Sequence, residues 1–254
     1  MKSVQGGLNM KVSEKTKIYS KYISTHFGKI HLNTQDYGIQ YTYFRKNYLK
    51  HLPKDLHAKI LDIGCGMGHF LNFLSVEGYT NSLGIDISEE NIEFCKKNNF
   101  NVRQADVFSF LKEASDNTYD TIIMNDLIEH LEKQEVLNLL HLIREKLNHG
   151  GLLIIKAPNA SNPFMAPSSR YLDFTHELLF TEESLSQVLK ICGYYKVTIY
   201  PQDLYVYNYN PLNYLAKLLN FTLNGLLRLI FYFYARKTTK IFTKNIIAVA
   251  AKNQ

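Results

Sequence analysis

Carboxylate and imidazole groups are concentrated in two short stretches of this chain. The first stretch, NDLIEH, contains Asp126, Glu129 and His130, and the second, SSRYLDFTHELLFT, contains Asp173 and His176. The first three are spaced i, i+3 and i+4, so they share one face if their segment turns helically. Such groups can take a proton from a hydroxyl or hold a divalent cation. Both stretches are therefore candidates for a catalytic centre.

Three interpretations of these residues stay open. In the first, a divalent cation binds Asp126, Glu129, His130 and His176, a ligand set that suits Mg²⁺, Mn²⁺ or Fe²⁺ better than structural zinc. In the second, no metal takes part, and His176 or His130 is the general base, with Asp173 as a further catalytic residue. In the third, Glu129 and His130 cap the following helix and His176 is hydrogen-bonded within a loop.

The second stretch also alternates charged with aromatic side chains. Arg170, Asp173 and His176 are interleaved with Tyr171 and Phe174. This mixture is typical of a lid that binds a polar or phosphorylated acceptor between aromatic rings, with Arg170 and Tyr171 as substrate-binding residues. A structural loop with a satisfied Arg170–Asp173 pair is the alternative.

Strands and helices alternate from Lys59 onward, and they must position these groups. Alternation of this kind predicts an α/β fold with a parallel sheet, right-handed crossovers and helices on both faces. Ligands bind such sheets beyond the carboxyl ends of the strands, and both chemical stretches follow a predicted strand. The predicted strands are 59–64, 82–87, 101–106, 119–126, 150–159, 195–200 and 245–252, and the helices between the first five are 69–77, 88–98, 107–114 and 132–147.

A glycine-rich turn, LDIGCGMG, follows the first strand and contains Gly64, Gly66 and Gly68. Glycines between a strand and a helix let a ligand approach bare backbone. Dinucleotide-binding folds require glycine at the first, third and sixth places, but the sixth place here is His69. The spacing therefore disfavours a nicotinamide oxidoreductase.

Acidic residues end the second and third strands. Asp86, in GIDIS, is placed to accept hydrogen bonds from both hydroxyls of a ribose. Asp106 and Val107 offer an acid and an apolar neighbour, which suit the edge and the face of an adenine. The alternative for each acid is an exposed strand end or a helix cap.

Five motifs over residues 57–200 resemble the class I S-adenosylmethionine (SAM)-dependent methyltransferases. The resemblance implies a Rossmann-like, doubly wound seven-stranded sheet of order 3-2-1-4-5-7-6 with the last strand antiparallel, and SAM as cofactor. The motifs, in the family's order, are LDIGCGMG, GIDIS, QADVF, YDTIIMNDLIEHL and LNHGGLLIIKAPN.

The same resemblance implies the cofactor contacts. Asp62 and the glycine turn hold the methionine part, Asp86 the ribose, and Asp106 with Val107 the adenine. The implied cofactor-binding set is Asp62, Gly64, Gly66, Gly68, Asp86, Ile87, Asp106, Val107 and Asn125.

Two narrower resemblances concern the acceptor. The acidic and histidine residues are similar to those of metal-assisted small-RNA 2′-O-methyltransferases and ubiquinone-pathway O-methyltransferases. RYLDFTHELLFTEESL resembles a subgroup of bacterial methyltransferases linked to cell-surface polysaccharide (capsule) assembly. The second implies O-methylation of a sugar, a nucleotide sugar or a phosphate-linked glycan precursor. An RNA 2′-O-methyltransferase and a non-catalytic SAM-binding partner in a glycan assembly complex remain alternatives.

Charge is distributed unevenly along the chain. Residues 1–60 carry 11 basic and 3 acidic side chains, residues 61–210 carry 11 and 20, and residues 211–254 carry 7 and none. An acidic middle argues against a nucleic-acid surface over the ligand site, so we expect no nucleic-acid partner. Basic ends fit contact with phosphate groups or an anionic membrane.

The cysteines and the N-terminus predict a cytoplasmic protein. Cys65, Cys95 and Cys192 are odd in number and widely spaced, which favours reduced thiols. The first 17 residues, MKSVQGGLNMKVSEKTK, lack an apolar stretch of signal-peptide length, so we expect no export.

We predict three regions: an N-terminal helical cap (1–56), a SAM-binding core (57–210), and an amphipathic helix with the final strand (211–254). In residues 211–237 the polar residues form one narrow stripe, and nearly everything else is Leu, Ile, Phe or Tyr. Such a helix lies in a membrane interface, peripherally on the inner face, or is buried in a homodimer or the chain's own core. The stripe consists of Asn213, Lys217, Asn220, Asn224 and Arg228.

Overall fold

The computed structural model describes residues 37–203, 211–236 and 239–253. Its helices are α1 (Tyr37–Tyr48), α2 (His69–Val76), α3 (Glu89–Lys97), α4 (Val107–Glu113), α5 (Lys133–Lys146), α6 (Ala166–Leu172), α7 (Glu182–Ile191) and α8 (Leu212–Phe233), with short 3₁₀ turns at Leu49–His51 and Ile128–His130. Its strands are β1 (Ile60–Ile63), β2 (Ser82–Asp86), β3 (Val102–Gln104), β4 (Tyr119–Asn125), β5 (Leu147–Pro158), β6 (Tyr195–Pro201) and β7 (Asn245–Ala251).

The seven strands form one sheet of order β3-β2-β1-β4-β5-β7-β6. Strands β1 to β5 are parallel, whereas β7 runs antiparallel to both of its neighbours. This order and the antiparallel last strand confirm the predicted fold class.

The sheet is covered on both faces because its strands alternate side chains between two cores. Ile60, Ile123 and Ile154 pack with aromatic residues of α1 and α2 on one face. Their neighbours in sequence, such as Leu61 and Ile122, pack with α4, α5 and α7 on the other face. The sheet is thus buried between two helical layers.

Capping side chains begin the helices where the sequence places them. Ser88 accepts a hydrogen bond from the Asn91 N–H at 3.4 Å and starts α3. Thr181 accepts from the Ser184 N–H at 3.1 Å and starts α7. These caps satisfy backbone N–H groups that no helical carbonyl can reach, and the Ser88 cap supports the predicted start of the helix at residue 88.

The connection between β6 and β7 leaves and returns at the carboxyl edge of the parallel strands. Pro158, the last residue of β5, pairs with Asn245, the first residue of β7. Pro201, the last residue of β6, pairs with Ile246. Helix α8 therefore belongs to the edge at which ligands of this fold bind.

The predicted regions are described in part. Residues 37–51 are helical, while residues 1–36, which make up most of the predicted cap, lie outside the described residues. Within the described ranges, no helix has both the length and the apolar character needed to cross a membrane.

Candidate active site

The glycine turn between β1 and α2 has a left-handed backbone. The φ angles of Gly64, Gly66 and Gly68 are 70°, 52° and 79°. A Cβ on Gly64 would lie 2.6 Å from Cδ1 of Leu127, so the turn packs directly against the segment after β4. A Cβ on Gly66 would meet no described atom within 4 Å, so its backbone conformation alone requires glycine there. Open space therefore remains beside Gly66.

Strand β2 holds this turn in place. The N–H groups of Gly64 and Cys65 both donate to the Ile85 carbonyl, at 2.8 and 3.0 Å. The Gly66 N–H donates to Oδ2 of Asp86 at 2.9 Å, and the Ser88 N–H donates to Oδ1 at 2.8 Å. Burial raises the pKa of Asp86, and these N–H donors oppose that rise. The Asn91 side chain is a third donor to this carboxylate, which has about four lone-pair sites and so retains acceptor capacity for a ribose hydroxyl.

Asp62 is a buried acid without a full set of partners. It lies inside β1 with 2% of its surface exposed, and its Oδ2 has no hydrogen-bond partner among the described residues. Burial, together with the charge of Asp86, raises the pKa of Asp62 to about 8. A cationic ligand group would satisfy this carboxylate, so the site fits the ammonium group of SAM's methionine part.

The remaining residues of the implied cofactor set lie at the same edge. Asp106 caps α4 by accepting a hydrogen bond from the Ser109 N–H at 2.9 Å. A helix cap was the alternative to an adenine contact for this acid. Val107 begins α4 and Ile87 directly follows β2. Asn125 ends β4, and its Oδ1 accepts a hydrogen bond from the Tyr48 hydroxyl.

Glu129, His130 and His176 come together after β4, close in sequence to Leu127, which packs against the glycine turn. One ligand atom from each residue lies within 4.8 Å of those of the other two. The two imidazole rings meet edge to face with centroids 4.6 Å apart. Glu129 and His130 lie in the 3₁₀ turn after β4, and His176 approaches from the segment after α6.

Hydrogen bonds fix which nitrogen of each imidazole carries the proton. The Thr175 hydroxyl donates to Asp173 at 2.6 Å, so at its 2.8 Å contact with His130 it accepts from Nδ1–H. Nδ1 of His176 lies 2.5 Å from the Ser169 carbonyl, which only accepts. When a ring is neutral, these contacts place its proton on Nδ1 and its lone pair on Nε2.

The charge state of this cluster follows from its burial. Burial, together with the charge of Asp126, raises the pKa of Glu129 well above its usual range. Oε2 of Glu129 has no hydrogen-bond partner in the part of the chain that the structure describes. Burial, together with neighbouring His176, lowers the pKa of His130 to about 4, so this ring is neutral at physiological pH. An unpartnered carboxylate oxygen beside two imidazoles fits a divalent cation.

Asp126 differs from the prediction. Its φ angle is 51°, and the helical turn begins only at Ile128, so the shared helical face predicted for Asp126, Glu129 and His130 is wrong. The Asp126 carboxylate instead forms an ion pair with Lys156 of β5. Burial opposes the charge of Lys156, but Asp126 outweighs it and the pKa of Lys156 is raised.

The predicted lid contains α6 and the segment after it. The Arg170 guanidinium donates to the His176 carbonyl and lies 5.6 Å from the centroid of the Tyr171 ring. Tyr171 and Phe174 are 81% and 94% exposed. Arg170 thus holds the backbone that carries His176, while two aromatic rings face solvent.

Sequence reasoning missed three contributors to this site. The Thr175 hydroxyl and the Ser169 carbonyl orient the imidazoles, and neither residue type marks a site by itself. Only Lys156 could have been found from the sequence, because a lysine within the apolar run LLIIKAP requires a buried partner.

This fold and site define a class I SAM-dependent methyltransferase. The profile of the family described as "Methyltransferase domain" matches residues 37–199, and the chain belongs to that family. The fold implies SAM as the methyl donor.

Curated relatives of this chain resemble about half of its length. It is 34% identical over 120 residues to a ubiquinone biosynthesis O-methyltransferase of Rickettsia akari, covering 44% of each chain. It is 32% identical over 128 residues to the protein of the same name in Rickettsia felis, covering 48% of this chain and 50% of that one. The match thus spans about half the length of these curated relatives.

Solved structures extend the likeness to most of the chain. A SAM-dependent methyltransferase from Archaeoglobus fulgidus matches with a TM-score of 0.67 and 25% identity, over 89% of this chain and 99% of that one. A Thermotoga maritima protein described as a possible histamine N-methyltransferase matches with a TM-score of 0.62 and 14% identity, over 93% and 99%. The second likeness concerns the fold alone.

Proposed function

We propose that this protein transfers the methyl group of SAM to a hydroxyl oxygen. The observation that carries the proposal is the Glu129–His130–His176 cluster, which brings a carboxyl group and two imidazoles together just after Leu127, the residue that packs on Gly64 of the glycine turn. A hydroxyl must lose its proton as it attacks the methyl carbon, so an O-directed enzyme needs such groups.

The step is an in-line displacement that the protein mainly orients. The acceptor oxygen forms a bond to the methyl carbon while the carbon–sulfur bond breaks and S-adenosylhomocysteine leaves. The hydroxyl proton passes to Nε2 of His176. His130, with a pKa of about 4, is a poor base at neutral pH, and it orients the acceptor.

A divalent cation, Mg²⁺ or Mn²⁺, is the second form of this proposal. Glu129, His130 and His176 would hold the ion, and Asp126 would stay paired with Lys156. When bound, such an ion lowers the pKa of a coordinated hydroxyl. Calorimetric titration of the SAM-free protein with Mn²⁺ tests it: binding that Glu129→Gln abolishes supports the metal, and no heat in either protein removes it.

For the acceptor we propose a carbohydrate-related hydroxyl: a sugar, a nucleotide sugar or a phosphate-linked glycan precursor. The likeness of the RYLDFTHELLFTEESL segment to glycan-linked methyltransferases supports this choice, as do the exposed rings of Tyr171 and Phe174 around Arg170. A hydroxyl on a quinone precursor is the second candidate, favoured by the relatives named ubiquinone biosynthesis O-methyltransferases.

The test has two stages. Calorimetry with S-adenosylhomocysteine comes first, because absence of binding would overturn the SAM site itself. Methyl transfer from labelled SAM to nucleotide sugars, lipid-linked sugars and catechols then separates the acceptors. We expect His176→Ala to keep cofactor binding and lose turnover; a fully active variant would remove His176 as the base or a ligand.

A further inference from the structure

Helix α8 exposes its apolar side to solvent and turns its polar side toward the protein. Within it, Leu227 is the one buried residue, while large apolar side chains along its length face solvent. The exposed fractions of Leu212, Phe221 and Phe233 are 67%, 77% and 74%. A helix of a water-soluble domain buries its apolar side, so a further surface must cover this one.

The polar stripe of α8 faces the body of the protein. Lys217, Asn220, Asn224 and Arg228 line a cavity of about 310 Å³, opposite residues 201–203 and 240–243. The polar side of this helix thus packs against its own chain, and no segment among the described residues covers the apolar side.

Direct contacts hold the helix in this orientation. Nε of Arg228 donates to the Lys240 carbonyl at 2.7 Å, and the Phe231 ring lies 4.7 Å from that of Phe242. Asn159 and Asn162, which follow β5, donate in turn to the carbonyls of residues 241–243. The exposed apolar side is therefore anchored to the edge of the sheet that carries the candidate site.

Charge indicates which surface covers α8. Residues 211–254 contain 7 basic and no acidic residues, and Arg236, Lys240 and Lys244 are exposed next to the helix. A two-fold contact between copies would place identical basic segments close together, because such an interface is self-complementary. An anionic lipid surface offers both an apolar layer and opposite charge.

We propose that α8 docks this protein on an anionic membrane surface, with its apolar side in the interface and the exposed side chains of Arg236, Lys240 and Lys244 at the headgroups. The exposed aromatic and aliphatic side chains that follow β5 belong to the same edge and extend the contact. They are Phe164, Tyr171, Leu172 and Phe174. Docking would present the candidate site to an acceptor held in the bilayer.

Vesicle flotation of the full-length protein tests the proposal. We expect it to float with vesicles of equal parts phosphatidylglycerol and phosphatidylcholine, more weakly with phosphatidylcholine alone, and less at high salt. The triple variant Leu215→Gln, Leu219→Gln, Leu226→Gln should lower partitioning at least about tenfold. Arg236→Glu with Lys244→Glu should remove the preference for anionic vesicles and leave the fold intact.

A matched control changes three exposed apolar residues elsewhere: Leu56→Gln, Val76→Gln and Ile191→Gln, which should float like the wild type. Failure of the intact protein to float with any vesicle would overturn the proposal. So would a dimer, seen by light scattering without lipid, that the α8 triple variant dissociates. Flotation requires no turnover, so this outcome is separate from that of the proposed methyl transfer.

Discussion

Asp62 is held inside β1 by neighbours that disfavour its ionised form. Its pKa is about 8 in the folded, ligand-free protein, against 3.8 for an ordinary aspartate. Between these pH values the folded state binds more protons than the unfolded chain, so the stability of the ligand-free protein falls as pH rises from about 4 to 8.

Replacing Asp62 with asparagine removes that buried charge. We expect Asp62→Asn to raise the free energy of unfolding at pH 8 by at least about 1 kcal/mol, roughly 2–4 °C in Tm, and to weaken S-adenosylhomocysteine binding. Thermal melts at pH 5 and pH 8, with calorimetry, measure both. The exposed control Asp55→Asn should change neither; equal melting shifts at the two pH values would contradict the assignment.

Thr175 orients His130 without being a ligand or a base itself. Thr175→Val removes the hydroxyl between His130 Nδ1 and Asp173, so we expect turnover to fall about 10- to 100-fold with cofactor affinity unchanged. Thr175→Ser restores the hydroxyl and should recover most of the activity. Equal loss in the valine and serine variants would show that shape, rather than the hydrogen bond, matters.

At the scale of elements, the glycine turn depends on strand β2. Asp86 accepts from the Gly66 and Ser88 N–H groups, so Asp86→Ala loses the ribose partner and the anchor of the turn together. We expect S-adenosylhomocysteine affinity to fall by about 2–3 kcal/mol, roughly 30- to 150-fold. Calorimetry measures it, with Glu113→Gln as a remote acidic control; unchanged affinity would disprove the assignment.

For the whole molecule, α1 is part of the core. Phe44 packs between Tyr48, Phe70 and Phe73, with ring centroids 5.1–5.7 Å away. Phe44→Ala leaves a cavity, so we expect a loss of about 3–5 kcal/mol in denaturant unfolding. Phe174→Ala, at a 94% exposed position, should cost less than about 0.5 kcal/mol. Similar losses in both variants would mean that α1 is not integrated into the core.

The strand order was implied by the family resemblance. The sequence by itself determined the alternation of strands and helices, the glycine turn and the capped helices. Each rests on local information: apolar runs, glycines that tolerate positive φ, and capping side chains at fixed spacing. It also selected Glu129, His130 and His176, because few other residue types can hold a proton or a metal, and it found the polar stripe of α8.

Only the tertiary structure decided how these parts face one another. It separated Asp126 from the cluster, because a left-handed residue breaks the helical spacing and Lys156 reaches it from another strand. It supplied Thr175 and the Ser169 carbonyl as partners of the imidazoles. It also turned the polar stripe of α8 inward. Helical periodicity shows that a helix has two unlike sides, but the direction of each is set by long-range contacts.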